Sequence, residues 1–305
     1  MSASDHMANV ADISLPEGPD IESILSSTAP LNIDILLLGE TGTGKDTLAR
    51  RIHRLSGRRG NFVAVNCAAI PETLAESELF GVNSGAYTGA VQSRAGFIEA
   101  AHLGTLYLDE IDSMPLSLQA KLLRALESRG VERLGSTRFI PVDMRVVASA
   151  QQSLYEMVER GTFRRDLYFR LSVVNIQLPS LRECRDRIIP LFLTMIRHEA
   201  ESFKCPPPQP PSSLFQQLLC HPWPGNVREL SSTAKRFVLG LPPLSVSGRD
   251  RVVSGASLKE RLQRIEKSLI EESLHRHSGN VDLAAADLRV AKRTFYYRMK
   301  QLGIS

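Results

Sequence analysis

The chain has 305 residues, room for about two domains, and its 43% hydrophobic and 23% charged content suits a protein that buries a real core. No apolar run approaches the roughly 20 residues that cross a bilayer, the N-terminus carries no signal-peptide pattern, and the four cysteines (Cys67, Cys184, Cys205, Cys220) are scattered without metal-ligand spacing. Reduced thiols and a cytoplasmic location are therefore expected, while a net charge of +4 is too small to name a nucleic-acid partner by itself.

In chain order, residues 1–30 are polar and rich in Ser, Pro and Asp, with no strong periodicity. Residues 33–38 form an apolar run stopped by Gly39, the pattern of a buried parallel strand. Further strands are predicted at 62–65, 105–108, 144–148 and 173–178, with helices such as 46–56 and 116–128 between them. That alternation predicts an α/β fold with a doubly wound, mostly parallel sheet. From Asp186 to Leu239 helices follow one another, broken by the prolines at 206–211, so a helical subdomain is expected beside the sheet. Residues 241–256 read as a linker. Beyond it Leu258, Leu262, Ile265, Leu269 and Leu274 recur at helical spacing, Gly279-Asn280 interrupts the pattern, and helices are predicted at 281–288 and about 291–301. Helix, turn and helix of these lengths suggest a DNA-binding helix-turn-helix.

Three stretches carry the chemistry. The run Gly39-Glu40-Thr41-Gly42-Thr43-Gly44-Lys45 lies between a strand and a helix, where glycines let backbone N–H groups face phosphate oxygens and the helix adds its dipole. Lys45 would supply charge to the β- and γ-phosphates. Asp46 stands where the general motif has a magnesium-binding Ser or Thr, and Thr47, about 100° further round the helix, is a poor substitute. Asp109 and Glu110 end the apolar run Leu106-Tyr107-Leu108, where Asp109 would hold Mg²⁺ and Glu110 would polarise the attacking water. ATP and Mg²⁺ are thus the expected substrate and cofactor. The third stretch, Gly85-Ala86-Tyr87-Thr88-Gly89-Ala90, is a loop with glycines near both ends and an amphipathic ring at Tyr87.

In this order the motifs resemble those of the bacterial enhancer-binding proteins, the AAA+ activators of sigma-54 RNA polymerase. The resemblance implies an AAA+ P-loop ATPase with a helical lid and a C-terminal all-α Fis-type helix-turn-helix. The corresponding divisions are 1–20 (N-terminal segment), 21–182 (α/β ATPase), 183–240 (lid), 241–256 (linker) and 257–305 (DNA-binding). It also implies that residues 85–90 contact sigma-54, and that Asn66 holds the catalytic Glu110 in an inactive pose. By the same match Arg164 and Arg170, in Phe163-Arg164-Arg165-Asp166-Leu167-Tyr168-Phe169-Arg170, would act as arginine fingers toward a neighbouring subunit's γ-phosphate. Arg228, in Trp223-Pro224-Gly225-Asn226-Val227-Arg228, would touch nucleotide from the lid. The first sensor departs from the family's Thr-Asn-like pair, with Ala150-Gln151 standing in, and Gln151 is expected near the γ-phosphate.

Between Arg289 and Lys300 lie Arg289, Lys292, Arg293, Arg298 and Lys300 with no acid among them. Lys292, Arg293, Thr294, Tyr296, Tyr297, Arg298 and Lys300 are the expected DNA-facing residues, and Leu288, Val290, Phe295 and Met299 the small core. Only 38 residues precede Gly39, too few for a receiver domain, and the chain most resembles the Hrp regulators of type III secretion. That subgroup implies a related co-activator and an inhibitory partner. The expectation is an activator that binds enhancer DNA, forms a ring, hexameric by family resemblance, and hydrolyses ATP to remodel the closed complex of sigma-54 polymerase. Two alternatives stand beside it: a DNA-binding regulator using ATP only for assembly, and an AAA+ remodeller of another client.

Overall fold

The computed structural model describes residues 19–86, 92–244, 263, 266, 267, 269, 270, 273, 274, 277 and 280–304. Residues 1–18, the loop residues Tyr87 to Ala90, the linker from 245 to 256, and Leu258, Leu262, Ile265 and Gly279 lie outside the described residues. The chain divides into two compact units, Met1–Pro243 and Leu244–Ser305.

The first unit is built on a five-stranded sheet of order β2-β3-β6-β1-β7, with β1 Ile35–Leu38, β2 Phe62–Asn66, β3 Thr105–Asp109, β6 Arg145–Ala150 and β7 Val174–Gln177. Every pairing is parallel. Side chains alternate between two cores as the pleat requires. Leu36, Leu106, Leu108, Val146 and Ala148 enter one, while Ile35, Leu37, Tyr107, Val147 and Ile176 enter the other. Burial on both faces explains why these strands read as continuous apolar runs rather than alternating ones.

Helix α1, Pro19–Thr28, corrects the sequence reading of 1–30 as aperiodic. Ile21, Leu25 and Ala29 are buried at a spacing of four, which the Ser-rich composition masks. Its C-terminal end is held by Arg145, a buried arginine donating to the carbonyls of Ala29 at 2.6 Å, Ile33 at 3.0 Å and Thr28 at 3.1 Å. Burial lowers the pKa of that guanidinium, yet the carbonyl oxygens at a helix C-terminus suit a cation.

Helices α2 Lys45–Leu55, α3 Glu72–Phe80, α4 Phe97–Ala100, α5 Leu116–Ser128, α6 Leu154–Glu159 and α7 Arg165–Leu171 cover the sheet. The lid comprises α8 Ile188–Ser202, α9 Ser212–Cys220 and α10 Asn226–Val238, with Trp223 fully buried and its Nε1 donating to the Leu218 carbonyl at 2.8 Å. An antiparallel ribbon of β4 Gly130–Glu132 and β5 Phe139–Pro141 was not foreseen, its three-residue strands being too short to show a period.

In the second unit α11 Val281–Asp287 and α12 Lys292–Leu302 pack through Phe295 and Met299, with Leu288 and Val290 against them, as expected. Asn280 caps α11, its Oδ1 accepting from the amides of Asp282 and Leu283. The preceding apolar stripe is corrected at one position: Ile270 is 4% exposed and Leu269 43%. Positions 270, 273, 274 and 277 share one helical face, and Leu269 falls off it.

Candidate functional site

Four strand ends converge at one edge of the sheet. Gly39 follows β1, Asp109 ends β3, Gln151 follows β6 and Gln177 ends β7. The carboxyl ends of parallel strands, where connections diverge to opposite faces, are where such sheets bind ligands.

The loop from Gly39 to Gly44 enters α2 with Gly44 in a left-handed conformation, φ 101°, and no side chain capping the helix. Its first-turn amides are therefore available to an anion. Lys45 is buried, and its Nζ donates to the carbonyls of Gly39 at 2.6 Å and Glu40 at 3.0 Å. Burial lowers its pKa, with Asp109 and Asp46 acting in the opposite sense. A buried ammonium bonded, among the described residues, to carbonyls is matched electrostatically by a phosphate.

The lid closes directly on this loop. Gly42 sits at φ 78°, and a Cβ there would meet the Gly225 carbonyl at 2.3 Å. The Arg228 amide donates to the Gly42 carbonyl at 3.2 Å, while its guanidinium belongs to an exposed residue. Buried Asn226 donates to the Thr41 carbonyl at 3.0 Å and Glu40 Oε2 at 3.2 Å and accepts from the Leu181 amide at 2.8 Å. Arg182 forks onto Glu40, and this hydrogen bond leads the lowering of the Glu40 pKa. Neither Asn226 nor Arg182 was foreseen. Asn226 lies three residues after Trp223 in the sequence, while Arg182 carries no local signal.

Asp109 is held from three sides. Its Oδ1 accepts from Ser149 Oγ at 2.6 Å and lies 3.0 Å from the Tyr107 hydroxyl, and its Oδ2 accepts from Asn66 Nδ2 at 3.2 Å. The same hydroxyl lies 2.7 Å from Asp46 Oδ1, so the residue in the Ser/Thr position is joined to the strand acid through a tyrosine. Burial raises the Tyr107 pKa, with Asp46 and Asp109 adding to it, so the phenol stays protonated. These oxygen donors suit Mg²⁺. Thr47 sits half-buried on the first turn of α2.

Asn66 differs from its expected role. It bonds Asp109 rather than Glu110, because Asn66 and Asp109 are register partners on adjacent strands while Glu110 turns off the strand at φ 53°. Gln151 meets Glu110 instead, Nε2 to Oε1 at 2.6 Å.

The expected fingers stand apart from this loop. Arg164 is exposed and donates to Asp166 at 2.7 Å, and Arg170 pairs with Asp34. Near the predicted sigma-54 loop, Gly85 and Ala86 are described, and the Ala86 amide donates to the Asn83 carbonyl at 3.1 Å. The segment joining the two strands of the unforeseen ribbon braces this base. Asn83 donates to the Leu134 carbonyl, Leu134 donates to the Gly81 carbonyl, and a Cβ on Gly135 would strike that of Ala86.

In the second unit Lys292, Arg293, Thr294, Tyr296, Tyr297, Arg298 and Lys300 are all exposed. Lys292 pairs with Asp282 at 2.5 Å and Arg298 with Glu266 at 3.2 Å. Among the described residues no helix is long and apolar enough to cross a membrane.

A parallel sheet with a glycine-rich phosphate loop, paired strand-end acids and a helical lid defines a P-loop NTPase of the AAA+ type, here joined to a helix-turn-helix. Residues 18–177 match the sigma-54 interaction domain, 182–273 the AAA+ ATPase lid domain and 261–302 the Fis family of bacterial regulatory proteins. The chain is 61% identical over 285 residues to the pathogenicity locus probable regulatory protein WtsA of Pantoea stewartii, covering 93% of this chain and 88% of that one. It is 55% identical to the pathogenicity locus probable regulatory protein HrpS of Pseudomonas syringae, covering 96% and 97%. The crystal structure of NtrX from Brucella abortus in complex with ADP superposes with a TM-score of 0.72 at 31% identity, covering 98% of this chain and 72% of that one. The chain belongs to the sigma-54-dependent transcriptional activators.

Proposed function

We propose that this activator hydrolyses ATP between neighbouring copies in a ring, a hexamer by family resemblance, and uses the cycle to open promoters held by sigma-54 polymerase. The observation that carries the reading is the meeting of Lys45, Asp109 and Glu110 at one sheet edge, in a chain matching the sigma-54 interaction domain. Lys45 and the amides at the start of α2 bind the triphosphate, Glu110 orients the attacking water, and Asn226 and Arg182 hold the lid against the loop. Mg²⁺, held by Asp109, would neutralise charge on the transferring phosphoryl group. Arg164 and Arg170 serve the neighbour's site. Such fingers are worth about 10³ to 10⁵ in rate, so turnover per subunit should rise with protein concentration.

Residues 85–90 act on sigma-54, with the base at Gly85 and Ala86 braced by Leu134 and Gly135 beyond β4, and α12 reads enhancer DNA. The names of the relatives support a pathogenicity locus as the target, with a related co-activator and an inhibitory partner as candidate regulators. The test is ATP-dependent open-complex formation on a sigma-54 promoter by native protein and Thr88→Ala. Opening by the native chain, lost in a variant that still hydrolyses ATP, is expected. Opening by Thr88→Ala at the native rate would remove the loop from the mechanism.

A further inference from the structure

Tyr107 is 2% exposed, and its ring stacks on Phe62 with centroids 5.8 Å apart. Tyr107 and Asp109 lie two positions apart on β3 and so share one face of the sheet, the face that α2 covers through Leu48, Ala49 and Ile52. The hydroxyl therefore emerges between two acids, 2.7 Å from Asp46 Oδ1 and 3.0 Å from Asp109 Oδ1. A protonated phenol carries one proton and cannot donate to both carboxylates.

Asp109 is supplied from elsewhere. Ser149 Oγ accepts from the Glu110 amide and donates to Asp109 Oδ1, and Asn66 donates to Asp109 Oδ2. Gln151 is taken up by Thr41 and Glu110, and Lys45 by carbonyls of the phosphate loop. Among the described residues the Tyr107 hydroxyl is the one side-chain group bonded to Asp46. The phenol proton thus goes to Asp46, along the shorter contact. Its lone pairs then face Asp109 Oδ1, a mismatch that positive charge held at Asp109 offsets. Because both acid oxygens lie against one phenol oxygen, a single octahedral ion with its waters can meet both. Mg²⁺ is commonly held by one or two carboxylates, with phosphate and water filling its other places, and among the described residues no cluster of three or more acids, histidines or cysteines forms a metal cage.

We propose that Tyr107 is a positioning residue for magnesium: its hydroxyl pins Asp46 beside Asp109, and the pinned carboxylate takes the part that a serine or threonine hydroxyl plays in the general phosphate-loop motif. This rests on the ATPase reading given above and deepens it by giving the ion a second carboxylate. Tyr107 touches neither ion nor nucleotide in this role. Its loss falls on metal affinity rather than on the fold, because the ring packs through carbon.

The experiment uses the full chain and compares native protein with Tyr107→Phe, Asp46→Asn and the Tyr107→Phe/Asp46→Asn double variant. Mn²⁺ is titrated into protein saturated with a non-hydrolysable ATP analogue, and free Mn²⁺ read by EPR gives the affinity of the ion for the complex. A fluorescent ATP analogue in EDTA gives nucleotide affinity without the ion, and thermal unfolding monitors the fold. Tyr107→Phe, which removes only the hydroxyl, should weaken ion affinity about 10-fold or more, as for loss of a partner that orients a metal ligand, with nucleotide affinity in EDTA within about twofold of native. Asp46→Asn should lose at least as much, and the double variant should match it within about twofold, because the hydroxyl acts through Asp46. Native ion affinity in either single variant, even with a lowered melting temperature, would overturn the proposal by leaving the cluster a structural part only. Losses that multiply in the double variant, or an equal loss in EDTA, would overturn it as well. Failure of the native chain to bind either analogue would instead remove the ATPase reading and this inference with it.

Discussion

Asn226 is the residue whose removal should most clearly expose how the lid is fastened to the phosphate loop. It is 0% exposed and sits at φ 51°, a left-handed conformation that asparagine tolerates better than alanine. Asn226→Ala strands the Leu181 amide, which loses its 2.8 Å acceptor within a buried residue, at about 1–3 kcal/mol for an unmet buried donor. Losing the Thr41 carbonyl bond, where water can replace it, costs about 0.5 kcal/mol. Left-handed alanine adds about 1 kcal/mol. The sum is about 2.5–4.5 kcal/mol, or roughly 10 °C in Tm for a unit of this size. Thermal unfolding by circular dichroism, with and without a fluorescent ATP analogue, measures both stability and the expected loss of affinity. Asn226→Gly removes the bonds but not the conformational tolerance, and should melt above Asn226→Ala. A Tm for Asn226→Ala within about 3 °C of native, or a glycine variant melting below the alanine one, would refute the reasoning.

Three further outcomes are expected. Gly42→Ala places a methyl 2.3 Å from the Gly225 carbonyl at φ 78°, so analogue affinity should fall roughly 10-fold or more, since about 1.4 kcal/mol of strain is tenfold, with helix content unchanged. Lid stability should fall as the pH is lowered below about 6.5, because burial holds the His221 pKa below its ordinary value. In that window the unfolded chain binds a proton that the folded lid refuses. His221→Gln should flatten the change in urea midpoint, though not abolish it, because burial also lowers the His53 pKa. Arg293→Ala and Lys300→Ala should each reduce the slope of log affinity against log salt by about 0.9 on enhancer DNA. Lys292→Ala should change it less, because Lys292 is paired with Asp282.

The strands were legible because burial on both faces leaves no polar residue to break the run, and the phosphate loop because its glycines and lysine have few other uses at a strand end. Helix α1 was not, since its buried positions amount to one residue per turn among serines and its anchor, Arg145, lies far along the chain. Register explains the error at Asn66. A motif can place a residue near an active site, but only strand pairing decides which of two adjacent acids it meets, and β2 delivers it to Asp109. The contact of Gln151 with Thr41 spans 110 positions and has no local signal at all. The face of the helix before α11 was misjudged by one residue at Leu269, because the stripe as drawn passed over Ile270 and the small Ser273, both buried.

Strand β6 begins with Arg145, which grips the end of α1, and Gln151, just past its other end, grips Glu110. Six residue steps of extended chain span about 20 Å, and a strand bonded on both sides to β1 and β3 is stiff along its length. The amino-terminal helix and the water-polarising carboxylate therefore sit at opposite ends of one rod. A protein that docks on α1 and shifts it has a mechanical path to the chemistry without approaching the nucleotide, and a lesion in α1 should register as altered turnover before it registers as lost binding.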